Sequence, residues 1–210
     1  MSINELDQQE FERRFAVEYD SIGEIHSGIA VVQRDDKFGV INKVGKIVIP
    51  LIYDYISDFR NNLAAVFIEG KGCLVNTKGE QISPLIYDDI PTELYGELNC
   101  PQFINGFVKV RVDGKYGFIN KLGEPAIPPI YDIAKDFTNS GLSIVSQGKK
   151  WGIINKDGDT VLDLKYDDIL EMNKKGYIIV RINGVVEFID YSGKILSNKD
   201  LEDLQNKKSK

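Results

Sequence analysis

In 210 residues the chain has only two cysteines, one histidine, one tryptophan and two methionines, and that scarcity excludes several kinds of protein. Cys73 and Cys100 have no second pair beside them, so they supply neither a zinc site nor a disulfide framework. His26 is the sole histidine, and there is no Gly-x-Ser-x-Gly elbow, glycine-rich phosphate loop or His-Glu-x-x-His pattern. These residues read as a surface histidine and two small buried or half-buried thiols, not as a Cys-His dyad. No catalytic residue, metal or cofactor is therefore expected, and the chain does not read as an enzyme. No apolar run approaches the roughly 18–20 residues of a membrane span. The first fifteen residues, MSINELDQQEFERRF, are acidic and amphipathic, without the apolar stretch of a signal peptide. A cytoplasmic protein with reduced thiols is the expectation. The net charge of −6 argues against nucleic acid or an anionic membrane as partner, since both need a basic patch.

What the sequence does have is repetition. Turn glycines fall at Gly45, Gly79, Gly123, Gly158 and Gly193, spaced 34, 44, 35 and 35 residues apart. Tyr-Asp follows the first four at a constant distance: Tyr53-Asp54, Tyr87-Asp88, Tyr131-Asp132 and Tyr166-Asp167. A fifth pair, Tyr19-Asp20, opens the series. The irregular 44-residue step holds an insertion at 89–105, DIPTELYGELNCPQFIN.

Each unit reads as a meander. A first strand closes on valine every time, at Val32, Val66, Val110, Val145 and Val180, as suits a stiff β-branched residue on a pleated surface. A polar turn leads to a second strand such as Phe38-Gly39-Val40-Ile41 or Trp151-Gly152-Ile153-Ile154. Asn-x-x-Gly then predicts a type I turn with a bulge, and a third strand ends near Pro50, Pro84 or Pro128. The fold class expected is all-β: five tandem three-stranded antiparallel meanders of about 35 residues in an open twisted array or solenoid. The alternative is a small closed β-propeller, whose blades need four strands and about 40–45 residues. Residues 1–18 form an N-terminal helical cap, 19–197 the array, and 198–210 a polar tail in which 198–206 can form a short helix.

With the aromatic-Gly pair, the hairpin glycine and Tyr-Asp in register, the chain resembles the bacterial WG-repeat family, also called KWG repeats, over roughly residues 16–197. Lys150-Trp151-Gly152 is the literal motif, and Lys37-Phe38-Gly39 and Lys115-Tyr116-Gly117 are aromatic variants. Unit two departs with Lys71-Gly72-Cys73, and unit five with Val185-Val186-Glu187. The resemblance implies β-rich repeats suspected of mediating interactions, with no catalytic residues to carry over.

The leading expectation is a non-catalytic protein-interaction scaffold or adaptor, of immunity or antagonist type, whose partner carries a basic surface. Its recognition residues are sought in the insertion, where Leu94, Tyr95 and Leu98 stand among Glu93 and Glu97. The alternative is a glycan or cell-wall-binding module using the repeat aromatics Phe38, Tyr116 and Trp151 as a stacking ladder. Core packing of those rings is the competing explanation. The Tyr-Asp pairs read as structure: tyrosine packs between units while aspartate caps a bend.

Overall fold

The computed structural model describes residues 3–92, 100–173 and 176–206, with side chains from 8 to 204 within those spans. Five antiparallel sheets follow one another along the chain. The first contains β1 (Ser21–Ile22), β2 (Ile29–Arg34), β3 (Lys37–Asn42) and β4 (Ile47–Tyr53); the second contains β5 (Tyr55–Ile56), β6 (Leu63–Ile68) and β7 (Lys71–Asn76). The third is built from β8 (Phe107–Val112), β9 (Lys115–Asn120) and β10 (Pro125–Tyr131). β11 (Ile133–Ala134), β12 (Leu142–Gln147), β13 (Lys150–Asn155) and β14 (Thr160–Tyr166) make the fourth. β15 (Asp168–Met172), β16 (Ile178–Ile182) and β17 (Val185–Ile189) make the fifth. Helices α1 (Ile3–Phe15) and α2 (Asn198–Asn206) flank the array.

The fold is all-β and repetitive, as the spacing predicts, and the sheets form an open succession without a closed barrel. One element adds to the three-strand reading. The residues just after Tyr-Asp form a short strand (β1, β5, β11 or β15) that pairs with the first long strand of the next hairpin. The chain thus crosses from one sheet to the next at Tyr-Asp.

A single meander cannot bury an apolar face by itself, so the core must lie between units. Four clusters of buried residues each join two consecutive sheets: Val40 and Ile49 with Val66, Leu74 with Val110, Phe118 with Val145, and Ile153 with Val180. The five closing valines are at most 1% exposed. At the N-terminal end α1 supplies Phe11 and Phe15 against Ala30, Val32 and Ile41. The Gln8 carboxamide extends the seal, accepting from the Ile25 N–H at 2.8 Å and donating to the Gly23 carbonyl at 3.2 Å. α2 begins with a capping box in which Ser197 and Asp200 exchange bonds.

The hairpin turns follow the Asn-x-x-Gly expectation closely. The Asn155 side-chain Oδ1 accepts from the N–H groups of Asp157 at 3.0 Å and Asp159 at 2.9 Å, and the side-chain oxygens of Asn42, Asn76, Asn120 and Asp190 do the same in their units. Gly158 has φ +86° there, and among the described residues the one neighbour within 4 Å of a Cβ position is the Ile127 Cδ1 methyl group at 3.2 Å, which can yield. Gly158→Ala is therefore expected to cost about 1 kcal/mol, the penalty of left-handed backbone alone. Thermal unfolding is the check, and an unchanged melting temperature would contradict that turn geometry.

Candidate functional site

The aromatic-Gly pair has a local physical reason. In unit one Phe38 faces Tyr53 and Val40 faces Ile49, so two steps along β3 span four along β4. The surplus, Pro50-Leu51-Ile52, bulges over Gly39. A Cβ on Gly39 would lie 2.7 Å from the Leu51 Cγ and 2.9 Å from the Ile49 carbonyl oxygen. Gly117 under Pro128-Pro129-Ile130 and Gly152 under Asp163-Leu164-Lys165 are crowded in the same way, by the Ile127 carbonyl at 2.5 Å and the Leu162 carbonyl at 2.6 Å. Proline suits this place because a bulge on an edge strand leaves its missing N–H without consequence.

The two units without that glycine lack a regular third strand. In unit two Cys73 takes the place of Gly39, the ladder shrinks to isolated pairs Gly72–Tyr87 and Val75–Gln81, and the Ser83 hydroxyl accepts the Leu74 N–H instead. The Phe67 ring covers Gly72, filling the space left by the missing aromatic. In unit five Glu187 takes the glycine's place; only Ile189 and Ile195 pair before the chain turns into α2.

Four of the five Tyr-Asp aspartates, Asp54, Asp88, Asp132 and Asp167, each join three parts of the chain. The N–H of each donates to the first long strand of the following unit, as Asp132 does to the Ser146 carbonyl at 2.8 Å. One carboxylate oxygen accepts from the lysine that opens the second strand of its own unit: Lys37 to Asp54, Lys71 to Asp88, Lys115 to Asp132, Lys150 to Asp167. The other accepts a turn amide of the next hairpin: Glu69 to Asp54 at 2.7 Å, Asp113 to Asp88 at 2.6 Å, Gly148 to Asp132 at 2.7 Å and Gly184 to Asp167 at 3.2 Å. Asp20 caps Asp35 in the same manner. The bend-capping expectation thus holds, and the capped turn belongs to the next unit.

The lysine bond, followed by the backbone bond for Asp54, Asp132 and Asp167, holds these carboxyls below the usual carboxylate range; Lys71 is likewise the main cause for Asp88. A lowered folded-state pKa favours the folded chain above the unfolded value of about 3.9 and loses that contribution as pH falls through the folded value. Melting temperature should therefore fall on acidification below about pH 4. Asp132→Asn should melt below wild type at pH 7, with the gap narrowing towards pH 3; a gap independent of pH would contradict the clamp. The lysines and carboxylates are partly exposed, so the effect of each single pair is modest.

The surface offers two features. At one fixed place in the unit, the residue before Tyr, Ile52, Ile86 and Ile130 are 48%, 45% and 43% exposed, each two residues after an exposed proline. In unit four this place holds Lys165, whose amine is 3.4 Å from Asp163. A cavity of about 570 Å³ lies at the seam of units four and five.

The residues sought in the insertion, Glu93, Leu94, Tyr95, Glu97 and Leu98, lie outside the described residues. The ends of the insertion are held: Ile90 and Cys100 are buried, and the Cys100 N–H donates to the Thr92 carbonyl at 2.9 Å. Phe38, Tyr116 and Trp151 are half-buried, each packed against the seam cluster of its own unit. Lys109 stands 5.9 Å from the Tyr116 ring centroid and Lys135 5.9 Å from that of Trp151. Each ring also faces the tyrosine of its unit across the bulge, as Trp151 faces Tyr166. Cys73 is buried, which pushes its thiol up to about 11, Cys100 is buried, and His26 is exposed beside Glu24. Among the described residues no His, Cys, Asp and Glu cluster is arranged to hold a metal, and no helix is long and apolar enough to cross a membrane.

Stacked meanders joined through Tyr-Asp define a tandem β-repeat protein. The chain belongs to the WG containing repeat family, whose pattern matches residues 15–38, 38–71, 74–93, 116–151 and 151–185. No curated protein matches the chain. Among solved structures, Hsv2 of Kluyveromyces lactis is 10% identical over 81% of this chain and 58% of that one, with a TM-score of 0.38. A Bacteroides caccae protein of unknown function is 16% identical over 85% of this chain and 80% of that one, with a TM-score of 0.24. The chain spans less than two thirds of the length of the Hsv2 chain.

Proposed function

We propose that this protein is a non-catalytic interaction scaffold of the cytoplasm whose protein partner lies along the segments just before Tyr-Asp in units one to three. One observation carries the reading: an exposed isoleucine two residues after an exposed proline, at the same place in three consecutive units. Apolar points at the same place in consecutive stacked units suit an extended partner surface better than a compact ligand. The net charge of −6 favours a partner with basic surroundings, as an adaptor or an antagonist of a basic effector would meet. Residues 93–99, with Tyr95 among acids, form the second part of the proposal on their sequence alone.

The test is affinity capture from the source cells with wild type, a triple Ile52→Lys, Ile86→Lys, Ile130→Lys variant, and a variant with 93–99 replaced by a short Gly-Ser link. All three should melt alike, since the isoleucines are exposed and the Thr92–Cys100 bond holds the neck. The triple variant should lose the partners that wild type retains. Identical partner lists for all three proteins would refute the reading.

A further inference from the structure

At the first three seams between units the chain places a phenylalanine three or four residues before the glycine or asparagine that opens the next hairpin, Phe59, Phe103 and Phe137, and Ile25 holds the same place where α1 meets unit one. Phe137 shows what that position does. It is 2% exposed, with its ring centroid 4.9 Å from Phe107 and 4.7 Å from Phe118, and it plugs the seam between units three and four. At the last seam the equivalent residue is Met172, four residues before Gly176. The cavity of about 570 Å³ opens at this seam, with Met172 and Leu142 in its wall. A flexible thioether stands where earlier seams carry a rigid ring.

The rest of the wall is polar but uncharged. Thr138 and Ser140 bring hydroxyls 2.8 Å apart, and the Tyr191 hydroxyl reaches the Asn173 carbonyl only at 3.4 Å. That long bond is weak, so the Tyr191 hydroxyl can turn from the Asn173 carbonyl to donate to a ligand. No charged side chain among the described residues lines the cavity, in a chain that is 28% charged. Lys174 and Lys175, between Asn173 and Gly176, lie outside the described residues.

We propose that this seam is a binding site for a small neutral molecule with an aromatic or fused-ring body and a hydroxyl or carbonyl group. The ring takes the space of the missing plug against Met172 and Leu142, and the polar group meets the Tyr191 hydroxyl. The volume falls within the range of small-molecule sites, and the pairing of an apolar wall with a few polar groups is their usual character. The site is separate from the row of exposed isoleucines, and its success or failure leaves that reading untouched.

Met172 also provides the readout, because the only other methionine is Met1. In the full chain labelled with methyl-¹³C methionine, 1-naphthol should shift the Met172 signal saturably and leave Met1 in place. The anion 1-naphthoate should bind at least about tenfold more weakly, because its charge has to leave water for a wall whose described residues are uncharged. Tyr191→Phe should weaken 1-naphthol roughly threefold to tenfold, the fold-change of one hydrogen bond, and leave naphthalene unaffected. Met172→Phe restores the plug and should abolish the calorimetric binding signal with the melting temperature unchanged or raised. An unmoved Met172 signal at the solubility limit of 1-naphthol overturns the proposal, as does undiminished binding to the Met172→Phe protein. Tighter binding of 1-naphthoate, or binding of N,N′-diacetylchitobiose in place of 1-naphthol, overturns the ligand class.

Discussion

Gly123→Ala should lower the melting temperature far more than Gly114→Ala, although both glycines sit at nearly the same left-handed backbone angle. Gly114 has φ +76° with nothing within 4 Å of its Cβ position, so its replacement costs the left-handed penalty alone, about 1 kcal/mol. Gly123 has φ +78°, and a Cβ there would run into the Ile82 carbonyl oxygen and carbon of the preceding unit. That obstacle is backbone and cannot rotate away, so an overpacking cost of roughly 1–3 kcal/mol is added. The total of about 2–4 kcal/mol corresponds to a melting-temperature loss of roughly 4–16 °C for a chain of this size. Equal losses for the two variants would mean that the hairpin tip of unit three does not rest on unit two.

Phe137→Ala should be comparably damaging for the opposite reason, because it empties a seam. Removing a fully buried ring that contacts Phe107 and Phe118 leaves a cavity worth about 3–5 kcal/mol. The Asn105 side chain donates to the Phe137 carbonyl at 2.6 Å, so that backbone stays anchored and the void cannot easily close. In a linear array the loss falls on one interface, and denaturant unfolding should lose cooperativity as units one to three and four to five separate. A single sharp transition displaced by less than about 1 kcal/mol would show that the seam does not depend on this ring.

The repeat made the fold legible because its strongest local signals all point to one structure. Asn-x-x-Gly fixes a turn, alternation fixes strands, and a valine at the same place in every unit marks the buried face. The short crossing strands such as Tyr55–Ile56 escaped that reading, since two residues carry no period. The clamp was half legible. The aspartate was read as a cap, yet its lysine stands 17 residues earlier in all four units, even in unit two where the aromatic-Gly pair is lost. Unit five lacks the lysine, with Val185 in its place, and 17 residues on stands Glu202 inside α2, so the constant 17-residue spacing of the other four units was available as a signal. The glycine's purpose was not, because a bulge passing over Gly39 comes from residues ten and more positions away. The exposed isoleucines were hidden for a related reason: Leu51, Ile52 and Tyr53 are all apolar, so the sequence does not show that Leu51 turns onto Gly39 while Ile52 faces outward.

The central claim is that the units are locked to one another and are not independent hairpins, and hydrogen exchange of single amides in the native chain tests it most directly. The amides of Glu69, Asp113, Gly148 and Gly184 lie in exposed turns, where exchange is ordinarily fast, and each donates to an aspartate of the preceding unit. Locked seams require protection within about tenfold of the mid-strand amides of the β12–β13 hairpin, because opening a turn then means opening the interface. Exchange of these four amides at the rate of free loops, beside well-protected mid-strand amides, would contradict the account.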